Sequence, residues 1–214
     1  MKEIILKTLS VGNPKNFSWN GKLESSAIEK RKLTNCFLSK TGFQGDGVAN
    51  PEVHGGPDRA VCLYPYEHYQ KWSKEFKTEF SPPAFGENIC VSGMVEDVVY
   101  IGEIYQLGKA VIQISQGRVP CSTISKFNGE PGLLKRVLDN CYTGYFFRVL
   151  EEGEVSVDSH ITLLERPQNK VTIKQASYLL FHDQTNKQAI SSVLEVSELA
   201  DAWQQKFMEM FEKK

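Results

Sequence analysis

Two stretches of the 214-residue chain hold residue types whose spacing suits chemistry. In SQGRVPCSTISKFNG, residues 115–129, a cysteine stands directly after a proline and three positions after an arginine, with Ser122 and Thr123 beside it. Pro120 stiffens the approach, the Arg118 guanidinium favours the thiolate, and the two hydroxyls can donate to sulfur, so Cys121 is a candidate functional thiol. The plain alternative is an inert surface thiol. In TGFQGDGVANPEVHGGPDRAVCLYPYEHY, residues 41–69, Gly42, Gly45, Gly47, Gly55 and Gly56 permit close approach of backbone N–H groups to a ligand, while Asp46, His54, Asp58 and Arg59 supply polar reach. Tight turns between strands account for part of that glycine content. Neither GxGxxG nor GxxxxGK[ST] occurs there, so the segment is not a nucleotide fingerprint. A third glycine turn, Phe85-Gly86-Glu87-Asn88-Ile89, enters a strand with Asn88 placed to cap it.

The other four cysteines read differently. Cys36, Cys62 and Cys90 lie inside apolar strand patterns and are expected to pack as small hydrophobes, and Cys141 is expected to fill structure as well. Five cysteines without CxxC spacing argue against a disulfide framework and a structural zinc site.

The elements that must position these residues are mainly β. IILKTLSV, KLTNCFL, AVCLY, NICV, EIYQL, AVIQIS, YFFRVL and HITLL are strand-length, rich in β-branched and aromatic residues, and flanked by turn formers, the pattern of a barrel or sandwich. Gly108-Lys109 joins EIYQL to AVIQIS as a tight hairpin, so the second strand delivers the chain into the Arg118–Cys121 loop. Tyr66, Tyr69, Trp72 and Phe76 recur at helical spacing, and residues 132–138 suit a short helix. After Arg166-Pro167 the composition turns helical. Thr172 to Gln175 has the form of a capping box, a second helix is expected over residues 187–194, and Leu199, Trp203, Phe207, Met210 and Phe211 form one apolar stripe. The expected division is a β domain over residues 1–166 and three helices over 167–214. The helical part lacks a basic recognition helix, which argues against a DNA reader.

A formal net charge of −1, with 41% apolar and 24% charged residues, offers no global attraction to nucleic acid or to a membrane surface. Without a bilayer-length apolar run or a secretory leader pattern at residues 1–13, the expected location is the cytoplasm. Oligomeric state is left open.

SSAIEK, GDGVANPEVHGGPDRAV, FGENI, RVPC and GYFFRVLEEGEV, in that order, resemble the signature elements of the MOSC-domain family. The helical tail resembles the three-helix extension of the family's YiiM-type members, which reduce N-hydroxylated compounds such as hydroxylaminopurine. The resemblance implies a MOSC-type β-barrel holding the molybdenum cofactor (molybdopterin), with the metal on a cysteine at the position of Cys121. It implies cofactor contacts from Lys30, in SSAIEK, and Asn88, in FGENI. His54, Gly55 and Gly56 are expected to shape the pocket mouth, Arg118 to keep the thiol ionised, and Arg59 either to meet the phosphate or to make a surface ion pair. His54 is also a candidate proton donor, with a turn-stabilising role as its alternative. The implied reaction is two-electron reduction of an N-hydroxylated small molecule. With no flavin, nicotinamide or iron–sulfur motif in the chain, the electrons come from a separate reductase. Two other readings stay open: a persulfide sulfur carrier on Cys121, and a non-catalytic cofactor-binding module.

Overall fold

β-Branched and aromatic runs between glycine turns make thirteen strands among residues 3–213, the residues described in this computed structural model; the side chains of Val53 and His54 lie outside that description. In chain order come β1 (Ile5–Val11), β2 (Lys15–Trp19), β3 (Lys22–Ser26), β4 (Arg31–Leu33), β5 (Asn35–Ser39) and β6 (Gly42–Phe43). A single turn α1 (Pro51–His54) and a 3-10 turn (Pro57–Arg59) lead to β7 (Val61–Pro65), α2 (Tyr66–Phe76) and β8 (Ile89–Ser92). The hairpin β9 (Ile104–Leu107) and β10 (Ala110–Gly117) precedes α3 (Thr123–Asn128) and α4 (Leu133–Asn140). Then follow β11 (Tyr145–Glu151), β12 (Gly153–Ser156), β13 (Ile161–Glu165), and the helices α5 (Ile173–His182), α6 (Lys187–Leu194) and α7 (Asp201–Glu212).

Eight strands form one mixed sheet in the order β13-β9-β10-β11-β7-β8-β1-β4, which curls into a half-barrel. Its one parallel pair among the described residues, β7 with β8, is joined by α2, as a parallel pair requires a crossover. β12-β5-β6 forms a second, three-stranded sheet. The Gly108-Lys109 turn is as expected: Leu107 pairs with Ala110 and Gly108 takes φ 58°.

Two expectations are corrected. KLTNCFL is not one strand: it breaks at Thr34 into β4, which pairs with β1 at the edge of the large sheet, and β5, which pairs with β12 in the small one. Thr34 gives its carbonyl to Val157 N at 2.8 Å at the point where the chain changes sheets. The hairpin β2–β3 escapes a reading by hydrophobic pattern because KNFSW and KLESS are half polar; its signal is Asn20-Gly21, both at positive φ (52° and 73°).

The helices are not a separate layer of solvent-exposed decoration. One hydrophobic core contains Leu9, Ile112 and Phe147 of the large sheet together with Ile173, Val193, Trp203 and Phe207 of α5–α7. α5 begins with the expected capping box, Thr172 Oγ1 accepting from Gln175 N at 3.1 Å and Gln175 Oε1 from Thr172 N at 2.8 Å. At the far end Lys187 Nζ donates to the carbonyls of Met210 at 2.7 Å and Lys213 at 2.6 Å, closing the C-terminus of α7 against the start of α6. Phe211 is the exception to the expected stripe: it is 41% exposed, and Met210, three residues past Phe207, holds the buried position in the last turn. A second cluster, with Tyr64, Trp72, Phe85, Ile124 and Val137, lies under α2, α3 and α4. Trp72 Nε1 donates to Tyr64 Oη at 2.7 Å, and the Tyr64 ring stacks on Phe85 with centroids 3.9 Å apart. Among the described residues no helix is long and apolar enough to cross a membrane.

A shared core has a direct energetic consequence. Phe207→Ala should lower the free energy of unfolding by about 3–5 kcal/mol through transfer and cavity terms, whereas Phe211→Ala should change it by less than about 1 kcal/mol. Urea melts followed by tryptophan fluorescence measure both; equal costs would place the two rings in equivalent environments.

Candidate functional site

Five chain segments meet in one open cleft. It is lined by residues of the β3 end (Ser25–Ile28, Lys30), the glycine loop after β6 (Asp46–Asn50), the β7 approach (Arg59, Cys62), the β8 turn (Gly86, Asn88) and the loop into α3 (Arg118, Cys121, Thr123, Ile124), with Phe146 of β11 behind them. Lys30, Arg59, Asn88, Arg118 and Cys121, separated by up to 91 positions in sequence, are thus brought together.

Asp46 organises one wall. Its Oδ1 accepts the backbone N of Gly12 at 2.8 Å and forms an ion pair with Lys30 Nζ, and its Oδ2 accepts Asn88 Nδ2 at 2.8 Å. The Lys30 side chain is only 5% exposed, so its charge is held inside the wall by Asp46. Asn88 is engaged throughout: Nδ2 also donates to Ser10 O at 3.3 Å, Oδ1 accepts Cys62 N at 3.0 Å, and its backbone pairs with Ser10 and Cys62. It therefore ties β1, β7 and β8 together at the cleft floor. Next to it Glu87 is fully buried, holding Tyr69 Oη and the backbone N of Phe85 (3.1 Å); burial raises its carboxyl above the usual carboxylate range.

The Cys121 loop is built by a strand end and a buried proline. Arg118 N still pairs with Gly144 O at 3.0 Å, extending β10 by one residue; Val119 and Cys121 are exposed while Pro120 between them is buried. Cys121 Sγ donates to Thr123 Oγ1 at 3.2 Å. Arg118, expected near Cys121, lines the same cleft, and its Nη1 lies 3.7 Å from Cys62 Sγ. Because Arg118 still bonds as a strand residue, its side chain follows the sheet toward β7, whereas Cys121 lies past the Pro120 corner. Cys62 is buried as expected, but it is also part of the cleft lining; burial pushes its thiol up, with Arg118 as the main opposing influence. Cys90 and Cys141 are buried and Cys36 is half-buried.

The remaining expected residues lie at one side. Gly56, at φ 103°, opens the 3-10 turn that carries Arg59, and Gly55 packs so tightly on Pro51 that a Cβ would sit 2.6 Å from its carbonyl oxygen. Neither glycine lines the cleft, and the His54 side chain lies outside the described residues. Asp58 does not reach the cleft either: it accepts Arg148 Nε at 2.6 Å and gives its carbonyl to Ser115 Oγ at 2.6 Å, fixing the turn before Arg59. Asp46, read in the sequence only as polar reach toward a ligand, and Cys62, read as packing, are two lining residues whose parts in the site the sequence did not assign. A carboxylate between two glycines, in QGDG, was the available signal for the first; for the second there was none, because AVCLY is an ordinary buried strand.

Among the described residues no three His, Cys, Asp or Glu side chains converge to hold a metal ion. The donor set is one exposed thiol, a hydroxyl beside it, and three cationic side chains set against one carboxylate. This arrangement suits a ligand with an anionic end and a site for a soft donor.

Comparison with known proteins gives the same grouping. The family model of the MOSC domain matches residues 50–162, and that of the YiiM-like, 3-alpha helix domain matches residues 171–214. The uncharacterized protein YflK of Bacillus subtilis is 39% identical over 94% of this chain and 91% of its own length. A protein of Gibberella moniliformis named as a reductase is 33% identical over 79% of this chain but only 31% of its own length. The crystal structure of YiiM from Geobacillus stearothermophilus superposes with a TM-score of 0.82 at 28% identity, covering 97% of this chain and 99% of that one. With its half-barrel, its cleft and its three closing helices, the chain belongs to the MOSC-domain family, in the group that carries the YiiM-like 3-alpha helix domain.

Proposed function

We propose that the chain is a molybdenum-cofactor-dependent reductase of N-hydroxylated small molecules. The observation that carries this reading is the meeting, in one open cleft, of the exposed Cys121 thiol with Lys30, Arg59 and Arg118. The donors fit the cofactor: a thiolate is a soft donor appropriate to molybdenum, and cationic side chains at the same cleft suit a phosphate. The name of the Gibberella relative supports a redox role.

When bound, the cofactor supplies two-electron cleavage of an N–O bond, R–NHOH + 2e⁻ + 2H⁺ giving R–NH₂ + H₂O. Cys121 Sγ would hold the metal as a thiolate, its direction set by buried Pro120, giving up to solvent the proton that it donates to Thr123 Oγ1 in a 3.2 Å hydrogen bond when free. Arg59 and Arg118 would face the anionic group, while Lys30, ion-paired with Asp46, holds that wall of the cleft in shape. Asn88 keeps Asp46 and the Cys62 backbone in place beneath them. Gly55 and Gly56 act through the backbone, presenting Arg59, and His54 on the adjacent turn is the proposed proton donor. A separate reductase delivers the electrons. The chain works in the cytoplasm and needs neither nucleic acid nor membrane.

The loaded protein, given a reduced viologen, should convert N-hydroxylaminopurine or an amidoxime to the amine. Cys121→Ser should abolish this and the molybdenum content while leaving circular dichroism and melting unchanged; an active, metal-loaded serine variant would refute the assignment. Persulfide on Cys121, with no molybdenum and no amine formed, would instead support a sulfur carrier. Asp46→Asn should leave Lys30 buried and unpaired, costing about 3–5 kcal/mol in chemical denaturation, and Asp46→Asn/Lys30→Met should recover part of that loss. A double variant no more stable than the single one would show that the pair is not what fixes this wall.

A further inference from the structure

The last helix reaches the strand that delivers Cys121. Ala200 N, at the start of α7, donates to Ser115 O of β10 at 3.0 Å. Two residues further along β10, Gly117 lies against Trp203: a Cβ there would stand 2.5 Å from Trp203 Cη2 and 2.9 Å from Ser177 Oγ of α5. Such distances are closer than real side-chain contacts, and Trp203, 1% exposed, has no room to retreat. Gly117 is not in the left-handed region, so glycine is required here by the approach of the indole and not by backbone conformation.

The contact has no hydrogen bonds to soften it. Trp203 Nε1, Ser177 Oγ and Gln116 Oε1 are all buried without partners; Gly117 pairs with Tyr145 of β11 on the sheet side, so what the helices add to its placement is shape, and Gly117 immediately precedes Arg118. A second link runs from the same helical segment to the other side of the cleft. Arg148 Nη1 donates to Glu198 O at 2.9 Å while its Nε holds Asp58 Oδ1, next to Arg59.

We propose that Trp203 and Ser177 are positioning residues for the site: by clamping Gly117 they fix the Arg118–Cys121 loop, so that the helical segment sets the geometry of the thiol it never touches. A misplacement of about 1 Å far from the reacting atoms is enough to cost about a hundredfold in rate. The inference takes from the proposed function only that Cys121 is the working thiol, and the first arm of its test needs no cofactor.

The rate of Cys121 alkylation by iodoacetamide, resolved from the other cysteines by peptide mass spectrometry, is measured on the full-length cofactor-free chain. Gly117→Ala should change that rate several-fold, and Gly117→Ala/Trp203→Phe, which removes the indole atoms in the way, should bring it back to the parent value. In the loaded protein kcat should fall about tenfold or more in Gly117→Ala with KM little changed, and recover in the double variant. Should Gly117→Ala fail to fold, Trp203→Phe alone carries the test, because relaxing the clamp must itself shift the alkylation rate. An unchanged alkylation rate in Gly117→Ala, or in Trp203→Phe, with only the melting temperature lowered, would overturn the proposal and leave the contact a packing detail. Alkylation that responds as expected in a chain that never reduces an N-hydroxylated substrate would keep the positioning role and sink the reductase reading instead.

Discussion

One carboxylate, that of Asp46, braces the loops at the ends of three strands that pair side by side, β1 with β4 and β1 with β8. It takes a backbone N–H from Gly12 after β1, the ammonium of Lys30 before β4, and the amide of Asn88 before β8. A nearly buried ammonium is tolerable only with such a partner, and a nearly buried carboxylate only with several donors. The glycines around it make the approach possible: a Cβ at Gly12 would lie 2.5 Å from Glu29 O, and Gly47 N pairs with Gly12 O at 2.9 Å. Asp46 neutralises Lys30 within the wall, and the guanidinium groups of Arg59 and Arg118 line the same cleft.

The two family models stop and start either side of residues 163–170, yet the packing does not respect that gap. Ile112 and Phe147 of the sheet share a core with Trp203 and Phe207. Ala200 N extends the bonding of β10, and Tyr100 forms a bridge with Thr172 at the start of α5. The three helices are too short to bury a core among themselves, so their apolar faces are satisfied by the sheet, and the sheet's by them.

Much of this was legible in the sequence where one local rule sufficed. The Thr172–Gln175 box, the 187–194 helix, the Gly108-Lys109 turn and the β-rich first part all follow from short-range patterns that the fold leaves intact. What was hidden depends on distant partners. Nothing in KLTNCFL says that its halves belong to different sheets, since β1 and β12, which separate them, are remote in sequence. Cys62 reads as core because its strand is core, and only the fold brings Arg118 to its sulfur. Lys30 and Asn88 could be named through the family resemblance, but the carboxylate that occupies both becomes visible only when the loops are assembled.

The strand β1 also sets a timetable. Its pairing partners are β4 and, beyond a crossover helix, β8, and it shares one hydrophobic core with Trp203 and Phe207 of α7, so that core is complete only when residues far along the chain have been made. Non-local topologies of this kind fold late and cooperatively. During synthesis the strand that carries Arg118 would leave the ribosome well before the indole that stops its movement. A nascent chain would therefore display its thiol on an unfinished support, and loading of any metal-bearing ligand would be expected to follow the synthesis of α7 and not to precede it.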